Sequence, residues 1–409
     1  MYRENPEMLM GSSAGEITSR HVTPYYHYDL NCLKSTLNEL KYQLKKHNIR
    51  AHYSVKANAN PFLLKMIRES GLGADCVSGN EIERAIQCGF KEQDIVYAGV
   101  GKREDEIRLA LKKGIFCMNC ESLAELQVVN ALAGSMGKRA HVAIRVNPNI
   151  DSHTHRYITT GAAYNKFGLG DEELNAAIDS YKQWEHLEIT GLHMHVGSQI
   201  TDKGVFRRLC RRMNDIQLFL NEKGLYFQHL NLGGGLAIHY EEPDVMSDFS
   251  GYLDMIRQHL HVFPDQTVHV EPGRSVTGQC GSLITKVLYV KKSFGKQFVI
   301  VDAGFTDLIR PALYQAYHKI ENLSSNGPLK KYDVVGPICE SSDCFGQDVE
   351  LPECSEGDML AIQSAGAYGE VMASRYNLRE LPGSICAWEK PNQIISEIPD
   401  RKKQVFAVS

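Results

Sequence analysis

Four short segments hold the side chains with which this sequence could do chemistry. Ser54-Val55-Lys56-Ala57-Asn58 sets one lysine among small and apolar neighbours. A lysine kept from water loses its charge readily, and its free amine can attack an aldehyde to form a Schiff base. Alone, such a lysine is a solvated cation at a strand end, so the other segments decide its role. Gly233-Gly234-Gly235 lets backbone N–H groups approach an anion closely. Glu271-Pro272-Gly273-Arg274 offers a carboxylate suited to a protonated pyridine nitrogen, which makes an aromatic ring an electron sink; the plainer alternatives are an ion pair with Arg274 or a solvated loop acid. His195-Val196-Gly197-Ser198-Gln199 adds a flat ring for stacking and a hydroxyl for a phosphate.

These groups need a frame. From about residue 50 the sequence alternates short apolar or β-branched runs with helical-period stretches, the pattern of βα units around a parallel sheet. The runs are 52–58, 73–78, 95–99, 115–119, 141–147, 188–197, 227–235 and 268–273, with amphipathic stretches such as 61–70, 79–89 and 102–113 between them. Ser78 and Glu81 form a capping box at one helix start. Eight such strands predict an α/β fold of the (β/α)8 TIM-barrel type. An open doubly wound sheet shares the spacing, but no G-x-G-x-x-G follows an early strand. In a barrel the reactive groups sit where strands end, and the loops after strands 7 and 8 are the usual phosphate corner. All four segments fall at such ends.

Past residue 281 the runs 283–291, 297–303, 332–337, 358–363 and 383–388 are strand-like without long helices between them, which predicts a C-terminal β-rich domain of sandwich or barrel type. The run 25–30, ahead of a first helix over 31–47, is expected to pair into it. The expected division is 31–281 for the barrel, 21–30 with 282–409 for the β-rich domain, and 1–20 as a disordered extension.

Of the 409 residues, Lys and Arg number 45 against 49 Asp and Glu, a formal charge of −4 with no block of one sign. That excludes a nucleic-acid arm and favours a small-molecule partner. No apolar run approaches the ~18 residues of a membrane helix, so no membrane partner is expected. Eleven cysteines, with no secretory leader ahead of them, point to a reducing cytoplasm.

In their order along the chain, the four segments resemble those of the fold type III pyridoxal-phosphate decarboxylases, the alanine-racemase-like barrel family. More narrowly, Leu308-Ile309-Arg310-Pro311-Ala312-Leu313-Tyr314, Cys339-Glu340-Ser341-Ser342-Asp343 and Gly366-Ala367-Tyr368-Gly369 are similar to motifs of the diaminopimelate decarboxylase family, over about residues 22–390. The resemblance implies a barrel that binds pyridoxal 5'-phosphate, a C-terminal β domain, and a homodimer with shared active sites. It implies decarboxylation of meso-2,6-diaminopimelate to L-lysine, the last step of lysine biosynthesis. Lys56 would hold the cofactor, His195 would stack on its ring, and Glu271 would face its nitrogen. Ser198, Gly234, Gly235, Arg274 and Tyr368 would surround the phosphate, with Arg274 and Tyr368 also near the substrate, and Gly273 would be a further contact to the cofactor. Arg310 and Tyr314 would bind a substrate carboxylate and Glu340 the distal amino-acid end. Cys339 would give the proton, from the partner subunit. Asp75, Glu81 and Arg145 match positions that support the lysine and the ring.

Other classes leave more unexplained. His153 and His155, with His193 and His195, make two H-x-H pairs that could chelate zinc, but a zinc hydrolase gives Lys56 and Glu271 no role. Cys117-Met118-Asn119-Cys120 lacks a second pair and reads as structural thiols. Racemases of this barrel family hold the ring nitrogen with arginine, so Glu271 favours decarboxylation. Ornithine, arginine and carboxynorspermidine decarboxylases differ mainly around 310 and 340. A cofactor-binding relative without activity would have little reason to keep Lys56, Glu271 and Cys339 together.

Overall fold

The computed structural model describes residues 22–151, 161 and 165–388 of the chain; the expected extension 1–20 lies outside them. Strand β1 (Tyr25–Asp29) runs directly into helix α1 (Leu30–His47), and eight further strands follow. These are β2 (Ile49–Ser54), β3 (Gly73–Cys76), β4 (Ile95–Tyr97), β5 (Cys117–Cys120), β6 (Ala140–Arg145), β7 (Leu187–His193), β8 (His229–Asn231) and β9 (Thr267–Val270). Each pairs in parallel with the next, and β9 returns to β2, so the sheet closes into a barrel and the open alternative falls. The strands are buried almost throughout, as expected where helices cover a parallel sheet. The covering helices are α2 (Pro61–Glu69), α3 (Gly79–Gln87), α4 (Glu104–Lys113), α5 (Leu123–Ser135), α6 (Asp171–Ser180), α7 (Lys203–Glu222) and α8 (Phe249–His259). Helix α2 begins on Asn60, whose side chain accepts from the Phe62 N–H, with Pro61 at its first position.

Most strands stop short of the predicted runs. The first ends at Ser54, and residues 55–57 form a 3-10 turn instead. The seventh ends at Asn231, before the three glycines. Polar and glycine residues at these ends leave the ladder to form loops, although their apolar neighbours read as continued strand. The expected capping box is only half present: Ser78 Oγ accepts from the Glu81 N–H at 3.2 Å, but Glu81 Oε2 accepts from the Val77 N–H at 2.7 Å, one residue before the cap.

The second unit holds an eight-stranded mixed sheet. After the short helix α9 (Arg274–Thr277) it runs through β10 (Gly281–Ser293), β11 (Lys296–Val301), helix α10 (Arg310–Tyr314), β12 (Ile320–Asn322), β13 (Leu329–Val335), β14 (Cys344–Pro352), β15 (Met359–Ile362) and β16 (Gly383–Ala387). The main path is β12-β15-β10-β11-β13-β14, and β1 pairs antiparallel with β10 and parallel with β16, as the run 25–30 foretold. Strands β12 and β14 were not foreseen: one has three residues, and the other interrupts its apolar pattern with glycine and acids. Tyr25, Ile284, Ala361, Ile385 and Ala387 pack together in this unit.

The barrel unit comprises Thr36–Ile238 and Ser247–Val276. The continuous span 31–281 is therefore interrupted, because His239–Met246 belongs with the sheet unit. There the Tyr240 hydroxyl accepts from Arg310 at 2.6 Å, and Gln279 donates to the carbonyls of Pro243 and Val245. Among the described residues no helix is long and apolar enough to cross a membrane.

Candidate active site

The 3-10 turn after β2 lifts Lys56 out of the strand, and its side chain is 39% exposed. Its Nζ lies 2.9 Å from Oδ2 of Asp75, a fully buried residue of β3 opposite Ser54 in register. This differs from the desolvated amine expected from the sequence: a short turn at the rim presents the amine, and a buried acid anchors it. Burial pushes the Asp75 carboxyl up, and Lys56 opposes that shift. Burial also pushes Glu81, at the start of α3, up to about 7.

Glu271 follows the last residue of β9 and is buried. Its Oε1 accepts from Asn231 Nδ2 at 2.7 Å and Asn119 Nδ2 at 3.3 Å, and its Oε2 lies 3.1 Å from His193 Nε2. Burial alone would raise this carboxyl, yet His193, by charge and hydrogen bond, and Lys56 hold it well below the usual range. The alternative ion pair with Arg274 does not form: Arg274 Nε and Nη2 lie 3.3 and 3.2 Å from Ser198 Oγ. Lysine and glutamate share one rim, since Ser54 Oγ is 2.9 Å from Asp75 Oδ2 and 3.2 Å from the Glu271 carbonyl.

The glycines serve close approach. A Cβ on Gly234 would sit 2.2 Å from the Glu271 carbonyl, and one on Gly235, at φ +127°, would sit 2.8 Å from the Gly197 carbonyl. The Gly234 N–H donates to His195 Nδ1 at 3.1 Å, and burial with nearby Arg145 and Lys56 drives the His195 pKa well down, so the ring is neutral. Gly273 faces the turn carrying Lys56, with Ser54 Cβ 3.0 Å from where its own Cβ would be. Arg145, the last residue of β6, pairs with Glu121 at 2.6 Å, both buried.

The remaining predicted residues lie in the sheet unit. Arg310 opens α10, is buried, and donates through Nη1 to Tyr240 Oη and to His318 Nε2 at 2.9 Å; Tyr314 ends the same helix. Cys339 and Glu340 are exposed on a loop after β13. Asp343 ties that loop, accepting from the N–H groups of Phe305 and Ile338, each at 2.7 Å. Tyr368 adopts φ +57°.

Asn119, Asn231 and Glu121 do not stand out in the sequence, and His193 stands out there only as a candidate metal ligand. Their common signal is a polar residue at or just past the C-terminal end of a buried strand. His153 and His155 lie outside the described residues; His193 and His195 go to different partners, and no metal-ligand cluster occurs among the described residues. Cys117 and Cys120 are buried, and burial drives Cys117 up to about 12, as suits inert thiols.

Residues 30–278 match the family model of the pyridoxal-dependent decarboxylase, pyridoxal binding domain. The chain is 53% identical to the diaminopimelate decarboxylase of Bacteroides thetaiotaomicron over 363 residues, 88% of this chain and 94% of that one. It is 41% identical to the enzyme of that name from Aquifex aeolicus, over 92% and 90% of the two chains. The crystal structure of Helicobacter pylori diaminopimelate decarboxylase complexed with L-lysine superposes with a TM-score of 0.86 at 40% identity, covering 91% of this chain and 93% of that one. With this similarity running through both units, the chain belongs to the pyridoxal-dependent decarboxylases, within the diaminopimelate decarboxylase family.

Proposed function

We propose that this chain decarboxylates meso-2,6-diaminopimelate to L-lysine and carbon dioxide with pyridoxal 5'-phosphate, the last step of lysine biosynthesis. The observation that carries this reading is one barrel rim holding both an accessible lysine on a buried acid and a carboxylate gripped by three donors. The rim also fits the cofactor: its glycines leave no room for side chains, the neutral His195 ring offers a flat face, and buried Asp75 Oδ1 has no partner among the described residues. Bound there, pyridoxal phosphate supplies an aldehyde for the substrate amine and a protonated ring that draws off the electrons left by carbon dioxide.

The chain's own residues divide the remaining work. Asp75 holds the Lys56 amine at the turn, where Lys56 would hold the cofactor. Glu271, kept ionised, would hold a proton on the ring nitrogen, and His195 would cover the ring. Ser198, Gly234, Gly235, Arg274 and Tyr368 would hold the phosphate, with Gly273 a further contact to the cofactor. Arg310 and Tyr314 take a carboxylate of the unreacted head, where a planar guanidinium suits a planar acid, and Glu340 takes the distal amine. Cys339 carries the proton for the α-carbon on its thiol. Its exposure and the family resemblance support a homodimer in which Cys339 and Glu340 serve the partner's site. The eleven cysteines support a cytoplasmic setting.

Incubation with meso-diaminopimelate should yield L-lysine; faster release of carbon dioxide from ornithine would defeat the substrate assignment. Cys339→Ala should slow product formation roughly 10²-fold, the scale of a lost general acid, while cofactor absorbance stays. Unchanged turnover would remove Cys339 from the mechanism.

A further inference from the structure

His193 is the member of the H-x-H pair that the proposed function leaves unused. It ends β7 and is 1% exposed, opposite Asn231, the last residue of β8. Its Nε2 lies 3.1 Å from Glu271 Oε2, while its Nδ1 is buried with no hydrogen-bond partner among the described residues. A buried imidazole nitrogen without a partner is costly, so this ring is placed for what its other nitrogen does. On the other carboxylate oxygen, Asn231 and Asn119 supply the two amide donors. We propose that His193 is a positioning residue for Glu271: together with Asn231 and Asn119 it clamps the carboxylate, and so decides where the proton shared between Glu271 and the cofactor's ring nitrogen sits.

This inference rests on the reading that Glu271 faces the ring nitrogen. Between a carboxylate and a pyridine nitrogen the proton goes to the nitrogen only while the carboxylate is the better-stabilised anion. In a buried site that stabilisation comes from hydrogen bonds rather than water. Each donor taken from Glu271 makes the carboxyl a stronger base and moves the proton away from the ring. His193 is the donor to Oε2, so its loss leaves that oxygen with no donor from the described residues. The ring then draws off electrons less well although Lys56, His195 and the glycines are untouched.

The test uses the holoenzyme loaded with pyridoxal phosphate carrying 15N in its ring, whose resonance reports protonation directly. In wild type the resonance should be that of a protonated ring. His193→Leu should shift it toward the unprotonated position and lower kcat roughly tenfold or more, the scale seen when a partner orienting a functional ligand is removed. KM should change little. His193→Gln places an amide N–H near the former Nε2 and should restore most of the wild-type resonance. If His193→Leu does not fold, Asn231→Ala carries the same expectation through the other oxygen. An unchanged resonance in a folded His193→Leu, or in Asn231→Ala standing in for it, overturns the proposal. Glu271→Gln separates the two levels: if it leaves the resonance protonated, the reading that Glu271 faces the ring fails; if it moves the resonance while His193→Leu does not, only the role of His193 fails.

Discussion

Two polar layers lie inside the barrel, one two residues above the other on the same strands, and they are built on opposite principles. Successive inward positions of a strand are two residues apart, so His52 lies below Ser54, His229 below Asn231 and His269 below Glu271. In the lower layer His52 Nε2 is 2.9 Å from His269 Nδ1, and His269 Nε2 is 3.2 Å from His229 Nδ1. His52 Nδ1 is 3.1 Å from the Asp94 carbonyl, which can only accept, so the three Nδ1 atoms donate and Nε2 of His52 and of His269 accepts along the chain of neutral rings. Phe116 packs on all three rings. Burial lowers the pKa of each histidine, and the neutral rings satisfy one another between His52 and His229 Nδ1. The upper layer instead gathers Lys56, Asp75 and Glu271 as charges, and leaves Asp75 Oδ1 and His193 Nδ1 without partners among the described residues. Burial of polar groups alone thus does not mark a site; incomplete satisfaction of charged groups does.

The largest effect that separates the layers is Lys56→Ala. It should abolish the borohydride-reducible cofactor linkage and lower turnover by roughly three orders of magnitude or more, a fraction of what enzymes achieve. The cofactor-free chain should still fold, since the amine is partly exposed, with a melting temperature lowered by the buried Asp75 carboxyl that loses its counter-charge. Mass spectrometry after borohydride reduction checks this, and a surviving linkage would assign it to another lysine.

The layers also differ in how well the sequence foretells them. Strands buried on both faces appear as apolar runs, so all eight barrel strands were legible, and Lys56 and Glu271 stood out as charged residues at their ends. The grip on Glu271 was not legible. Asn119, His193 and Asn231 are separated by tens of residues and meet only through barrel closure and strand register, which periodicity does not contain. The histidine chain was hidden for the same reason: His52 and His269 are 217 residues apart. The strand ends misled because Val55 and Ala57 are buried like strand residues although they lie in a turn.

A substitution in the lower layer should give the converse of Lys56→Ala. His269→Ala removes a buried ring and leaves His52 and His229 each short of a partner. It should destabilise the fold by about 2–4 kcal/mol in urea unfolding while the cofactor linkage still forms. The sign of its pH dependence follows from burial. The folded-state pKa of His269 is well below 6.5, so the unfolded chain takes up a proton first as pH falls. The advantage of wild type over His269→Ala is therefore full above about pH 6.5 and shrinks as pH falls below it. An advantage that grew on acidification would mean the ring is charged in the folded chain.

Glu81→Gln has the smallest expected effect and the opposite sign. Burial raises the Glu81 carboxyl from 4.5 to about 7, so the folded chain holds that proton more tightly than the unfolded one. Its ionisation therefore opposes folding: stability is lost as pH rises from about 4.5 through 7, and the full cost is present at pH 8. Glutamine keeps an acceptor for the Val77 N–H, a weaker one, which offsets part of the gain. The net result should be a chain more stable than wild type by about 1 kcal/mol at pH 8, with the difference vanishing near pH 5. Urea midpoints at the two pH values test this. An equal gain at both would place the cause in packing rather than charge, and Glu81 would then resemble the neutral lower layer more than the charged rim.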